Sequence, residues 1–275
     1  MKGFVHSADP LTREEWETMN NAVRRIGNSS ISRRFIESTS ELGAGVQTAP
    51  TKSLVGITEG RKGLIGDDGS TVTAAMTSAG IIPILHKDFI LHWRDIEQSR
   101  LTHQGVPLAK AAAAAASCAR TEERLVLFGD KEMRYEGLMN VEGRCTLTSL
   151  RWDRAGDAFE NFGKAARLLM SRGHGGPYAA LVPPKVYADM HRIIDDSSLP
   201  EIAYVRELIT AGVFTSPLMK SESGLVVSTG RQNMEMVVAV DTSAAFLGSK
   251  QMNLPFRVFK AVYLRILRSD AICTF

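Results

Sequence analysis

The segment from Gly176 to Pro217 most narrows the folds open to this chain, because it sets two short helices between two apolar strands around one polar loop. Tyr178, Ala179, Ala180, Leu181 and Val182 make an apolar run of strand length, after which Val186, Met190 and Ile193 recur at helical spacing. Asp195 to Ser198 interrupt the pattern, Ile202, Val205 and Ile209 resume it, and Gly212 ends it before Val213, Phe214 and Thr215. A unit of this order displays a loop on a rigid support. Nothing in it reads as chemistry on a substrate.

The chain as a whole is ordinary globular material. Its 275 residues, 44% hydrophobic and 23% charged, suffice for one large core or two smaller ones. The 33 basic and 30 acidic side chains nearly cancel, to a formal +3, so no strong field calls for nucleic acid. Two basic pairs, Arg24 with Arg25 and Arg33 with Arg34, are read as solvated or subunit-contacting, with a phosphate-contacting surface as the other reading. Cys118, Cys145 and Cys273 form no CxxC pair and leave one over in any disulfide scheme, which points to a reducing compartment and to small core residues. Met1 to Pro10 lack the apolar stretch of a signal peptide, and no window nears the roughly 18 apolar residues of a membrane span. A soluble cytoplasmic protein is therefore expected.

Leu11 to Gly27 is the best-specified helix. Thr12 and Glu15 make a capping box, Leu11 staples onto Trp16, and Gly27 offers a left-handed stop. Its apolar face, Trp16, Met19, Val23 and Ile26, either closes over the domain's own core or also receives a partner peptide. From Gly43 to Gly80, glycines at 56, 60, 63, 66 and 69 stand among short side chains that cannot bury a core alone. Val55, Ile57 and Val72 mark strand edges of a long extended hairpin that must lean on something else, such as a neighbouring subunit.

Ile81 to Arg94 reads as one strand, with Leu85, Phe89, Leu91 and Trp93 on one face and His86, Asp88, Ile90 and His92 on the other. Same-face neighbours stand about 6.6–7 Å apart, so His86 and His92 are too distant to share one metal ion. Pro107 to Phe128 is a long helix built around Ala111 to Ala116 and closed by Gly129. A further helix spans about Asp153 to Arg172, with Ala158, Phe159, Phe162, Ala165, Ala166 and Leu169 as core. Phe256 to Phe275 alternates, Val258, Lys260, Val262, Leu264 and Ile266 facing one way and Arg257, Phe259, Tyr263, Arg265 and Leu267 the other. An apolar end at Ile272 to Phe275 predicts that the terminus itself packs as a strand.

Motifs of catalysis are missing. The sequence holds no GxSxG, GxxxxGK[ST], HExxH or GxGxxG, and none of its six histidines has an identifiable serine or cysteine partner. Glu122 with Glu123, and Asp195 with Asp196, are read as solvated acidic pairs.

Taken in order, several of these stretches resemble the encapsulin family of shell proteins. They are the LTxxxW start at Leu11, Thr12 and Trp16; Glu122, Glu123, Leu125, Val126 and Gly129; Tyr135 to Met139; Gly176, Pro177 and Tyr178; Thr215 to Pro217; and Leu225 to Ser228. The departures concentrate in the glycine-rich arm and around His86 to His103. The resemblance implies an α+β, HK97 capsid-like fold. Residues 1–42 and 81–135 would form the peripheral domain, 43–80 the extended loop, 136–254 the axial domain, and 255–275 a strand returning to the peripheral domain.

It further implies a non-enzymatic subunit, with no cofactor, that self-assembles into an icosahedral cytoplasmic shell around a peroxidase or ferritin-like cargo enzyme carrying a targeting peptide. In such a shell Asp195, Asp196, Ser197, Ser198 and Leu199 would line a pore with an acidic lip. Trp16, Met19, Val23, Ile26, Phe35 and Phe259 would line or flank the groove that takes the cargo peptide. The competing expectation is a phage or prophage capsid protein that packages DNA; for the encapsulin, neither membrane nor nucleic acid is an expected partner.

Overall fold

The computed structural model describes residues 10–55, 72–148, 151–194 and 198–275. Helix α1 (Arg13–Gly27) begins as its sequence demands: Thr12 Oγ1 accepts the Glu15 N–H at 3.2 Å, and the Glu15 carboxylate accepts the Thr12 N–H at 2.8 Å. Its end differs from expectation. Asn28 caps it at φ −94°, and Gly27 serves instead as a point of close approach, where a β-carbon would run into the Thr242 side chain.

Strands β1 (Thr48–Val55) and β2 (Thr73–Ile81) form an antiparallel ribbon with a bulge at Ser53 and Leu54. These are the limbs of the expected hairpin; Ile57 and the glycine-rich tip fall outside the described residues. The predicted single strand over 81–94 is divided. β2 ends at Ile81, Ile82 and Pro83 make the link, β3 (Ile84–His92) follows, and Trp93 opens helix α2 (Trp93–Leu101). Pro83 has no N–H to give a ladder, which accounts for the break. Within β3 the predicted alternation holds, with Leu85, Phe89 and Leu91 buried and His86, Asp88, Ile90 and His92 exposed. Trp93 leaves that face because it belongs to the helix.

Helix α3 (Ala109–Phe128) packs against α1 and against the sheet, where Ala111, Ala114, Ala115 and Cys118 meet Met19, Val23, Leu91, Phe256 and Val258. Small side chains let the two helices and the strands approach closely. Next come β4 (Cys145–Thr146) and α4 (Asp157–Ser171), whose Phe162, Ala165, Ala166 and Leu169 are buried while Phe159 is not. The unit first singled out in the sequence appears as β5 (Tyr178–Val182), α5 (Pro184–Asp189), α6 (Glu201–Leu208) and β6 (Gly212–Thr215). The first helix is shorter than its apolar spacing suggested: Met190 caps it and Ile193 is exposed.

The remaining strands are β7 (Leu225–Ser228), β8 (Met234–Phe246), β9 (Asn253–Ile266) and β10 (Ile272–Thr274). They complete two sheets, ordered β3-β9-β8 and β4-β10-β7-β5-β6. Helices α4 and α6 cover one face of the larger sheet through Ala180, Val182, Val226 and Cys273. Its other face, Ala179, Leu181, Leu225 and Val227, meets Val126, Leu138, Met236, Val262 and Leu264 in the core that joins the two sheets. A strand buried on both faces reads as the continuous apolar run seen in the sequence.

Two strands depart from the segments to which the sequence assigned them. β8, inside 136–254, pairs with β9 along its length, and β10, at the end of 255–275, joins the larger sheet between β4 and β7. The switch follows a 3₁₀ turn at Ser269–Ala271, where the Asp270 carboxylate accepts from Arg268 Nη2 at 3.1 Å and lies 3.1 Å from His174 Nε2.

Candidate functional site

Three surfaces carry the functional expectations, and the loop between α5 and α6 is the first. Its base is closed by backbone bonds from Glu201 N to Arg192 O at 3.0 Å and from Ile202 N to Met190 O at 2.8 Å. Arg192 adds a bond to Asp153 O at 3.1 Å. Ser198 and Leu199 are exposed at its rim, whereas Asp195, Asp196 and Ser197 lie outside the described residues.

Glu201 is the residue that sequence reasoning missed here. It is buried, and its Oε1 accepts the Phe159 N–H at 2.8 Å, at the start of α4, whose own N-cap is Gly156 with no side chain to offer. A carboxylate there satisfies a first-turn donor and the helix dipole together, tying the loop's base to α4. Glu201→Ala is expected to lower subunit stability by about 1–3 kcal/mol, while Glu201→Gln keeps the acceptor and costs less. Thermal unfolding of both variants checks this, and equal losses would show that the Phe159 bond does not matter.

The six residues expected in or beside one cargo groove are dispersed. Met19 and Val23 are fully buried under α3, so they face the protein interior. Trp16 and Ile26 are half-buried at the edge of the same cluster, Trp16 meeting Phe256 edge-on at 5.6 Å. Phe35 belongs to the core between the sheets, stacked on Phe214 at 5.6 Å with the Arg34 guanidinium over the same ring. Phe259 lies on the far face of β9, beside Ala49, Ile82 and Ala261. Strand alternation dictates that last separation, since Phe256, Val258 and Lys260 all point to the helices.

The third surface is the ribbon and the strand that follows it. Its root is held by Ala49, buried against Val237, Ala239 and Ala261, and by the Ile82 N–H, which donates to Gln47 O at 2.8 Å. Ile81, Ile84 and Ile90 are each more than half exposed on this side. Asp88 lies between His86 and His92 but bonds Arg257 at 2.6 and 2.8 Å. Arg257 holds the Asp88 carboxyl below the usual carboxylate range. Among the described residues no group of three or more His, Cys, Asp or Glu could hold a metal ion, and no helix is long and apolar enough to cross a membrane.

One cluster overturns an expectation outright. Glu122 is not solvated; it is wholly buried, with Arg33 Nε 2.7 Å and Ser30 Oγ 2.6 Å from Oε1, Arg33 Nη2 3.1 Å from Oε2, and Lys260 Nζ also on Oε2. Lys260 is equally buried and donates to Gly27 O at 2.6 Å, while Glu123 accepts the Ile31 N–H at 3.0 Å. The signal was available: a lysine alternating with Val258, Val262 and Leu264 must bury its charge and therefore needs a partner. Which carboxylate answers it depends on α3 crossing β9, and that is tertiary.

With this geometry in place, comparison with known proteins defines the class. The fold is that of capsid shells: it matches the virus-like particle of Pyrococcus furiosus with TM-score 0.74 at 19% identity, covering 96% of this chain and 98% of that one. It also matches the capsid of Myoviridae phage XM1, with TM-score 0.63 at 13% identity over 89% and 90% of the two chains. Residues 1–263 match the family described as "Encapsulating protein for peroxidase". The type 1 encapsulin shell protein EncA of Myxococcus xanthus is 41% identical over 271 residues, 98% of this chain and 94% of its own length. The chain belongs to the encapsulin family, a family of structural shell proteins rather than enzymes.

Proposed function

We propose that identical copies of this chain close into an icosahedral nanocompartment that encloses a cargo enzyme. The carrying observation is the ribbon of β1 and β2, which among the described residues forms a sheet of its own. Two strands alone are marginal in water, so a ribbon of this length belongs on another surface, and a neighbouring copy supplies one. Several distinct contact faces on one subunit make the heterologous interfaces from which closed shells are built. The DNA-packaging alternative is weaker, since the phage capsid shares the fold at 13% identity and the shell protein shares 41%.

The family description favours a peroxidase as cargo, with a ferritin-like enzyme as the second choice. A targeting tail would meet the half-buried edge of α1 at Trp16 and Ile26, because Met19 and Val23 are sealed beneath it. Small solutes would pass at the α5–α6 loop. Five copies of one carboxylate about 5 Å from a central cation would each contribute roughly 0.8 kcal/mol in water, less at physiological salt, enough to favour cations without trapping them. The three buried free thiols support a reducing, cytoplasmic setting. Burial pushes the Cys273 thiol up to about 12, so it carries no reactive thiolate.

Electron microscopy of the chain co-expressed with a tailed cargo enzyme should show closed, filled particles. Replacing Asp195 and Asp196 with Lys should slow ferrous iron uptake into ferritin-loaded shells. A chain that sediments only as monomer at every pH and salt tried overturns the cage; unchanged uptake overturns the pore.

A further inference from the structure

We infer that the angle at which the β1–β2 ribbon leaves the body, and with it the size of the shell, is set by a brace of three residues: Gly80, Tyr263 and Tyr135. This rests on the ribbon reaching a neighbouring copy. Gly80 lies one residue from the end of β2, opposite Ala49. The hydroxyl end of the Tyr263 ring occupies the space that a side chain at Gly80 would need. Tyr135 meets that ring edge-on, centroids 5.0 Å apart at 74°.

Tyr135 is itself fixed. It is buried, its hydroxyl accepts the Leu264 N–H, and its backbone closes a turn with Asp130 through two bonds of 2.8 Å directly after α3. Pairing of β9 with β3 stops at Ala261, so Tyr135 satisfies an amide that the sheet leaves over. On the companion strand Arg265 Nη1 donates to Pro50 O at 2.9 Å, which pins the root from the other side. A rigid line therefore runs from the end of α3 through two tyrosines to the ribbon. Beyond the root the ribbon is a lever: a tilt of about 10° moves a point about 25 Å out by about 4 Å. That is nearly a strand spacing, enough to misplace every contact made at the far end.

Gly80 and Tyr263 are thus positioning residues for assembly, and compensation between them is the signature. Gly80→Val should leave far-UV circular dichroism unchanged while the yield of closed shells falls about tenfold, the loss expected for one weakened contact. Adding Tyr263→Ala, which empties the ring's place, should relieve the clash and recover part of the yield, with diameters more scattered than in the unmodified shell because the brace itself is gone. If Gly80→Val does not fold, Gly80→Ala with and without Tyr263→Ala asks the same question with one methyl.

Shells of unaltered yield and diameter from the single variant overturn the inference, as does a double variant that is no better than the single. A chain with residues 52–77 replaced by a two-residue turn, which removes most of the ribbon along with its tip, separates the two levels. If it still closes into shells, the bridging arm falls, and the brace with it. If it stays unassembled while Gly80→Val builds normal shells, only the brace falls.

Discussion

Glu122→Gln should destabilise the subunit by about 3–5 kcal/mol, whereas Lys260→Met, in the same cluster, should cost only about 1–2 kcal/mol. The asymmetry follows from the count of charges. One buried carboxylate faces two cations, Arg33 and Lys260, so the site carries a net positive charge. Neutralising the anion leaves two cations out of water with only a neutral amide between them. Removing the ammonium leaves a bidentate Arg33–Glu122 pair, still complete, and frees only the Gly27 carbonyl.

Acid titration separates the same variants. Burial works to raise the Glu122 carboxyl, but Lys260 and Arg33 overcome it and hold it below its ordinary 4.5. A carboxyl depressed in the folded state contributes stability that is fully present above its unfolded value and lost as pH falls through the folded one. Urea midpoints of the unmodified protein should therefore fall more steeply below about pH 4.5 than those of Glu122→Gln, in which this group no longer titrates. Equal penalties for the two substitutions at neutral pH would show that the cluster is not organised around its anion.

Gly129→Ala and Gly137→Ala should each cost about 3 kcal/mol or more. Gly129 has φ +66° and ψ −164°, a region that is essentially glycine's own. A β-carbon there would enter the Tyr135 carbonyl, and one at Gly137 would enter Gly129 N and the Leu127 carbonyl. None of these atoms can move aside, since Leu138 N–H bonds Val126 O at 2.9 Å and Met139 N–H bonds Leu127 O at 2.8 Å along the same stretch. Gly173→Ala is the control: φ is +84° but the space is open, so only the backbone preference, about 1–2 kcal/mol, should be lost. If all three variants melt together, close backbone packing after α3 is not what these glycines supply.

Much of the fold was legible because its signals are local. The capping box of α1, the alanine run of α3, the alternation in β3 and β9 and the strand-helix-loop-helix-strand unit each depend on residues within a few positions of one another. The misreadings share a cause. Trp93 keeps the parity of β3, yet the chain becomes helical at that residue. The alternation from Phe256 onward continues in sequence, yet β10 belongs to another sheet. Met19, Phe35 and Phe259, all apolar and expected in or beside one groove, belong to three separate clusters.

The sequence by itself determined most of the element types and apolar faces and, through ordered short motifs, the family, since propensity, periodicity and turn chemistry act over one or two turns of chain. Only the tertiary structure decided which carboxylate meets Lys260, which sheet takes the last strand, and where the ribbon is clamped. Those outcomes depend on how α3 crosses β9 and how a tyrosine from one segment fills the gap beside a glycine in another. Contacts between residues more than a hundred positions apart leave no periodic trace in the chain that makes them.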